Sequence, residues 1–540
     1  MPADCATCPS IPALFLEQAA RLGDTPLLGA KRNGAWSYLG WADTAQAALK
    51  LAGGLSRLGL AAGDRVMLVA ENRPEWAIAD LAIMIAGGVT VPAYVTNTAN
   101  DHLHILENTQ ARIVVVSTLP LAEKMLQAAA RATDPPTLIC LEMPRLTQSP
   151  GFDVVAWDQA LAMGDGMQDD MRARAASLKR TDTACIIHSS GTGGAPRGVM
   201  LSHGALLADC IGAQALLADL GLDDNVFLSF LPLSHSYEHT VGLVFPLTIG
   251  ATIAYAESLD LLASNMAEVR PTIMTAVPRL YESMRARILV ALRRQGGFRE
   301  WLFMAALRLG TRRLTGDRLD LLERLADRLL DPLVRRKVAK RFGGRLKALV
   351  SGGAPLAHEV GLFFAALGVR ILQGYGQTEA GPAISCSPPS KIKLDTVGPP
   401  LAGIAVRIAE DGEILVKGEA LMQGYWRDPA STARAIDSEG WLHTGDIGEL
   451  DEDGYIRITD RKRDIIVNSG GDNISPQRIE GLLTLQPEIA QAMVHGDKRP
   501  HLVALVVAAD GCAAAEVARA VERVNAGLST IEKVRRHLVI

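Results

Sequence analysis

The chain has 540 residues, of which 48% are hydrophobic, enough for large cores in roughly three or four structural units. Charged residues make up 21% and the net charge is −4, which excludes a global electrostatic pull toward nucleic acid. Apolar runs fall short of the ~18–20 uncharged residues of a membrane-spanning helix, no signal peptide is expected, and the seven scattered cysteines fit reduced thiols in a cytoplasm rather than a disulfide framework.

Taken in order, Cys5 and Cys8 form a lone C-x-x-C with no second pair, and are expected to lie in a solvated tail. Residues 11–60 carry Leu, Ala and Phe at helical spacing, with Trp36-Ser37-Tyr38 as a short strand between helices. Residues 64–70 read as a strand, and Pro74 opens a helix over 75–86. The apolar runs 113–117, 226–230, 251–255 and 273–277 have the composition of buried parallel strands, and helical stretches separate them. That alternation predicts an α/β fold of layered sheets. From Val397 the texture changes to short strands (404–408, 412–417, 454–458) joined by turns such as Asp411-Gly412 and Asp453-Gly454. The chain therefore divides into a large domain, 1–459, holding a helical insertion near 285–345 and a β-rich subdomain at 397–459. A charged hinge at 460–464 and a small α/β domain at 465–540 follow.

Three stretches carry chemistry. In His188-Ser189-Ser190-Gly191-Thr192-Gly193-Gly194-Ala195-Pro196-Arg197-Gly198-Val199 the glycines let backbone N–H groups approach an oxyanion, the hydroxyls donate, and Arg197 adds charge. A strand at 184–187 precedes it, and residues 200–207 open a helix with Ser202 as N-cap. The stretch reads as a phosphate-gripping loop, with a flexible surface loop as the alternative. It is not a Walker A loop, which needs G-x-x-x-x-G-K-[ST]; here Arg197 is followed by Gly198 and Val199. Ser351–Leu356 and Gln373–Glu379 each follow a strand, where open α/β sheets bind ligands. Tyr375 offers a ring face to a base, Thr378 a hydroxyl to a phosphate and Glu379 a hard oxygen to Mg²⁺. Asp446, in His443-Thr444-Gly445-Asp446, suits the two hydroxyls of a ribose. Between Arg293 and Arg345 fifteen basic residues stand against six acidic ones, with leucines at helical spacing. A basic amphipathic helix pair there can lie on an anionic membrane; a solvated helical insertion is the alternative.

The loop 188–199, the 373–379 motif, Leu421–Trp426, the 443–448 run, and Asp460-Arg461 followed by 469–476 occur in the order seen in acyl-adenylate-forming enzymes, which this chain resembles over nearly its whole length. Residues 270–282 and the basic insertion look most like long-chain fatty-acid–CoA ligases. The resemblance implies two half-reactions, fatty acid plus ATP-Mg²⁺ to acyl-AMP and pyrophosphate, then acyl transfer to coenzyme A after the small domain rotates. Carried over by position, Ser189, Ser190, Gly191, Thr192, Gly193, Gly194 and Arg197 hold the β- and γ-phosphates. Gly353, Ala354, Tyr375 and Gly376 frame the adenine, Thr378 touches the α-phosphate and Glu379 binds Mg²⁺. Asp446 and Arg461 hold the ribose, Arg463 marks the hinge, His235 borders the acyl pocket, and Gly470 and Gly471 approach coenzyme A.

The chain departs from the family in three places. Gly193 and Arg197 replace a common Thr and Lys, changing a point cation into a planar fork. No Thr-Pro-Thr-x-Lys-like motif carrying the family's catalytic lysine is recognised before Ile540, so the small domain is expected to be incomplete and adenylation weakened. Alternatives are a ligase for another carboxylic acid, a carrier-protein acceptor, and a catalytically silent nucleotide- or acyl-binding protein. The expected partners are fatty acid, ATP and coenzyme A, not nucleic acid. The expected location is cytoplasmic, with peripheral contact on the inner face of a membrane through 293–345.

Overall fold

A computed structural model describes residues 2–146, 149–189, 196–462, 464, 466–468 and 473–540. They divide into two compact units, one running to Ala405 and including Val416–Leu442, the other Val406–Leu415 with His443–Ile540. Residues 443–459 thus group with the C-terminal residues, whereas the sequence reading kept them in a 1–459 domain.

The first unit holds two eight-stranded sheets. One runs Ala383–Cys386, Ile371–Gly376, Ala348–Ser351, Ile273–Ala276, Val226–Ser229, Thr252–Tyr255, Pro26–Arg32, Ala35–Gly40. The other runs Gly424–Tyr425, Arg197–Ser202, Thr183–Ser189, Val89–Pro92, Arg65–Val69, Ile113–Val116, Thr137–Cys140, Val154–Ala156. The inner strands pair in parallel and are almost wholly buried, which is why their sequences are continuous Val, Ile and Leu rather than alternating. The helix Pro74–Ile85 is buried at every position but Glu75, so its composition shows no polar face.

Three expectations change here. Residues 11–60 are not helix around one short strand. Helices Ile11–Leu22 and Trp41–Arg57 flank a full hairpin, turned at Asn33 and Gly34 with φ of 52° and 80°. Asn-Gly with both φ positive is the preferred two-residue hairpin turn. Residues 200–202 do not open a helix but end a strand, Arg197–Ser202, whose apolar residues Val199 and Leu201 pack inward. Ser202 does cap the next helix, accepting from Ala205 N–H at 3.0 Å. Cys5 and Cys8 are buried, not solvated: Arg180 Nη1 donates to both their carbonyls, at 2.8 and 2.9 Å, and Ala3 N–H donates to Thr248 O. The described residues hold no three-residue His/Cys/Asp/Glu metal cluster.

The second unit joins a four-stranded sheet (Ala405–Ile408, Glu413–Lys417, Leu442–Leu450, Ile456–Arg461) to a three-stranded sheet, Ile489–His495, Leu502–Ala508 and Val534–Val539. Helices Pro476–Thr484 and Ala514–Ala526 cover the latter around Ile479, Leu483, Val506 and Val521. No helix among the described residues is long and apolar enough to cross a membrane.

Candidate active site

The strands on either side of the Ser/Gly-rich stretch pair antiparallel, with Ser189 opposite Arg197. Ser190, Gly191, Thr192, Gly193 and Gly194 lie outside the described residues, as do Arg463, Gly470 and Gly471. Gly424–Tyr425 adds a short strand beside Arg197–Ser202, pairing Tyr425 with Val199. This sets the Tyr425 ring under the Arg197 guanidinium, 5.1 Å from ring centre to charge centre. The Tyr425 hydroxyl donates to Glu379 Oε1 at 2.9 Å. Burial, then the adjacent Glu379 charge, push the Tyr425 phenol well above its usual pKa, so it stays a proton-bearing donor. Met422 N–H donates to Glu379 O at 2.9 Å, which ties the Thr378–Ala380 turn to the same segment.

The other wall comes from residues 232–244 and the strands Ala348–Ser351 and Ile371–Gly376. Thr378 Oγ1 and Ser236 Oγ lie 2.8 Å apart, so one hydroxyl donates to the other and one proton remains for a ligand. The Tyr237 hydroxyl donates to Val350 O at 2.8 Å, and its ring packs on Gly352, where a Cβ would come within 3.1 Å of it. Gly353 has φ of +80°, and Gly353 and Ala354 are exposed at the strand end. Tyr375 is 9% exposed. Gly376 is at the surface, and a Cβ there would lie 1.8 Å from Pro382 O, so close backbone approach requires glycine. Glu238 is completely buried, accepting from Ser229 Oγ at 2.6 Å and Thr275 Oγ1 at 2.5 Å; burial raises its pKa to about 7.

His235 has its Nδ1 accepting from Tyr237 N–H at 3.1 Å, which leaves the proton of a neutral ring on Nε2. Desolvation lowers its pKa, yet its surface is exposed; the hydrogen bond is the stronger argument for the neutral form, since an exposed ring is only partly desolvated.

In the second unit Asp446 and Arg461 are opposite each other across Leu442–Leu450 and Ile456–Arg461, with Arg461 Nε 3.5 Å from Asp446 Oδ1. Beside them Glu413 is buried and accepts from Lys462 Nζ (2.9 Å) and Gly445 N–H (2.9 Å), with His443 Nδ1 at 3.1 Å. Lys462 also meets Asp411 Oδ2 at 2.6 Å, so the stretch expected to be a hinge is fastened on its own unit by a lysine.

The donor set fits Mg²⁺ in a restricted way. Glu379 supplies one carboxylate, with Tyr425 on one oxygen and Thr378 adjacent, and no all-protein cage occurs among the described residues. That is the pattern of a cation held by one carboxylate and by substrate phosphates.

The arrangement thus sets a cation, two hydroxyls and a carboxylate beside the C-terminal ends of parallel strands, a site suited to a polyphosphate. Sequence reasoning singles out Arg197, Thr378 and Glu379 but neither Tyr425 nor Ser236, which bind them. Tyr425 lies inside the 421–426 motif and Ser236 follows His235, so those neighbours were the available signal.

The chain is similar to known proteins over nearly its whole length. The AMP-binding enzyme family model matches residues 15–426, and its C-terminal domain model matches 463–540. A long-chain-fatty-acid–CoA ligase, FadD15 of Mycobacterium bovis, is 32% identical over 94% of this chain and 87% of its own. The human long-chain-fatty-acid–CoA ligase ACSBG2 is 30% identical over 92% and 76%. The fold matches that of ATP-bound MatB from Rhodopseudomonas palustris, with a TM-score of 0.71 at 23% identity, covering 98% of this chain and 95% of that one. With matched segments spanning nearly the whole chain, this protein belongs to the AMP-binding enzyme family.

Proposed function

We propose that this protein activates a long-chain fatty acid with ATP and transfers the acyl group to coenzyme A. The observation that carries the reading is the linked set Arg197–Tyr425–Glu379 with Ser236–Thr378, in a family member whose relatives are named fatty-acid–CoA ligases over more than nine-tenths of this chain. In the first half-reaction a carboxylate oxygen of the acid attacks the α-phosphorus; the bond to the bridging oxygen breaks and pyrophosphate leaves. In the second, the coenzyme A sulfur attacks the acyl carbonyl, the bond to AMP breaks, and the thiol proton is lost.

The chain's own groups mainly position charge, which is most of what phosphate chemistry asks of a protein. Ser189 and Arg197 flank the loop assigned to the β- and γ-phosphates. Arg197 is held over Tyr425, and Tyr425 orients Glu379. With Ser236 donating to it, Thr378 donates its own hydroxyl hydrogen to an α-phosphate oxygen. Gly353, Ala354, Tyr375 and Gly376 frame the adenine, and Asp446, steadied by Arg461, accepts from the ribose hydroxyls. His235 presents Nε2–H toward the acyl end. Mg²⁺ held at Glu379 would neutralise phosphate charge. The hinge at 460–464, including Arg463, and the approach of coenzyme A to Gly470 and Gly471 belong to the same reading. So does a cytoplasmic location, supported by seven unpaired cysteines.

The test is ATP-dependent pyrophosphate release and thioester formation across acids of increasing chain length, with coenzyme A and with a phosphopantetheine carrier protein. Thioester formation rising with chain length is expected. ATP binding without product from any acid would favour the silent binding protein instead. The weakened adenylation expected from sequence has its own variant. Lys533, in the turn after Ser529 and Thr530 that leads into Val534–Val539, is the lysine to replace. Ordinary turnover that Lys533→Ala abolishes assigns it the adenylation cation; low turnover unchanged by the variant supports the impairment.

A further inference from the structure

The helices Pro278–Gln295, Gly297–Leu314 and Leu321–Leu330 have a burial pattern that water alone does not explain. Gly297–Leu314 has both buried and exposed apolar residues. Phe303, Ala306 and Leu309 face inward, and at Gly310 a Cβ would fall 2.4 Å from Ala366 O, so this helix is packed tightly on the one bearing Ala366. Near its start, at i and i+3, Phe298 and Trp301 are 71% and 64% exposed and stack on each other, ring centres 5.8 Å apart. Leu321–Leu330 is inverted. Its buried residues are Asp327 and Leu330, with Asp327 ion-paired to Arg313 at 3.0 Å and to the buried Arg335. Beside Arg324, Ala326 and Arg328 its outward residues are leucines: Leu321 and Leu322 are 81% and 78% exposed, and Leu325 and Leu329 more than half. Of 23 large hydrophobic residues exposed among the described residues, ten lie between Val290 and Leu333. This is a concentrated apolar face and not the ordinary scatter.

Charge says what covers it. The stretch 293–345 has fifteen basic and six acidic residues, an excess of nine positive charges in a chain whose net charge is −4. Arg293, Arg294, Arg299, Arg318 and Arg328 make no ion pair among the described residues. A second copy of the chain would set this positive face against itself. An anionic bilayer supplies both needs, phosphate headgroups for arginine and an acyl boundary for leucine and tryptophan.

We propose that the outer face of 290–333 docks on an anionic membrane surface, with Phe298, Trp301, Leu321, Leu322, Leu325 and Leu329 in the acyl boundary and the unpaired arginines on headgroup phosphates. The inference rests on the fatty-acid ligase reading only for its purpose, since a long-chain acid resides in membranes; the binding itself needs no turnover.

The experiment is co-sedimentation of the full chain with phosphatidylcholine vesicles, with and without phosphatidylglycerol. Binding to the anionic vesicles about tenfold or more tighter than to neutral ones, and weakened by salt, is expected. Phe298→Ser/Trp301→Ser and, on the other helix, Leu322→Ser/Leu325→Ser should each reduce it about tenfold or more. Arg294→Gln/Arg299→Gln should erase most of the anionic preference. No vesicle binding, equal binding to both vesicle types, or binding untouched by both apolar double variants would overturn the proposal. So would variants that dissociate an oligomer while leaving vesicle binding unchanged, which would make the face a contact between copies. Thioester formation from a water-soluble medium-chain acid, measured on the same proteins, is read separately, so loss of membrane binding and loss of ligase activity are told apart.

Discussion

The wall around residues 235–239 and 375–379 and the helices at 278–341 are built on opposite principles. In the wall, polar groups meet polar partners: Thr378 with Ser236, Glu379 with Tyr425, and Glu238 with Ser229 and Thr275. In the helices, leucines and two aromatic rings stand exposed while an aspartate is enclosed. The first region is finished before its ligand arrives, so ligand binding orders little that is not already placed. The second is finished only by what covers it.

Four measurements break or sharpen that contrast, from the largest expected effect downward. Glu379→Gln keeps the shape and removes the charge. It should lower pyrophosphate release by roughly 10²–10³-fold, the usual cost of removing a preorganised charged or hydrogen-bonding group, and raise the Mg²⁺ concentration needed for half-maximal rate.

Glu238→Gln should act on stability, not chemistry. The folded pKa of about 7 lies above the ordinary 4.5, so the folded chain holds this proton more tightly than the unfolded one. Its contribution to stability is fully present below about pH 4.5 and is lost as pH rises to about 7. A shift of that size corresponds to roughly 3 kcal/mol. Denaturant unfolding at pH 5 and pH 8 should show the parent's loss over this window shrink by about that amount in the variant; an unchanged loss would place its origin elsewhere.

Tyr425→Phe removes one hydrogen bond to a carboxylate and keeps the ring under Arg197. Turnover should fall by about tenfold to a hundredfold, since a hydrogen bond to a charged group contributes about 1.5–3 kcal/mol. ATP affinity should fall less than the rate if Glu379 is oriented chiefly for the transition state.

Trp301→Ser lies at the bottom of the scale. Turnover of a soluble acid should stay within experimental error of the parent and unfolding stability within about 0.5 kcal/mol, as for exposed positions generally. A clear loss of either would show that the exposed ring supports the fold and would blur the contrast.

Much of the fold was legible because buried parallel strands leave continuous apolar runs: 113–117, 226–230 and 273–277 all became central strands. The first hairpin was missed although Asn33-Gly34 is a strong turn signal, because the surrounding Ala and Leu content favoured helix. The strand after the glycine loop was missed for a related reason. Residues 198–201 are too short a run to show a period, and only pairing with Thr183–Ser189 makes them a strand. The terminal cysteines were misplaced because burial by contact with distant Arg180 and Thr248 leaves no local trace.

The sequence by itself determined the α/β class, the order of motifs that identifies the family, and the chemically apt side chains Arg197, Thr378 and Glu379. Those are local properties, read from composition, spacing and the chemistry of single residues. Only the tertiary structure decided which side chains hold them, because Ser236 and Thr378 are 142 positions apart, and Tyr425 reaches Glu379 through a strand pairing no local pattern encodes. It also decided that Leu321, Leu322, Leu325 and Leu329 point outward. Periodicity shows that a helix has an apolar stripe, but which way the stripe faces depends on what the rest of the chain offers to pack against it.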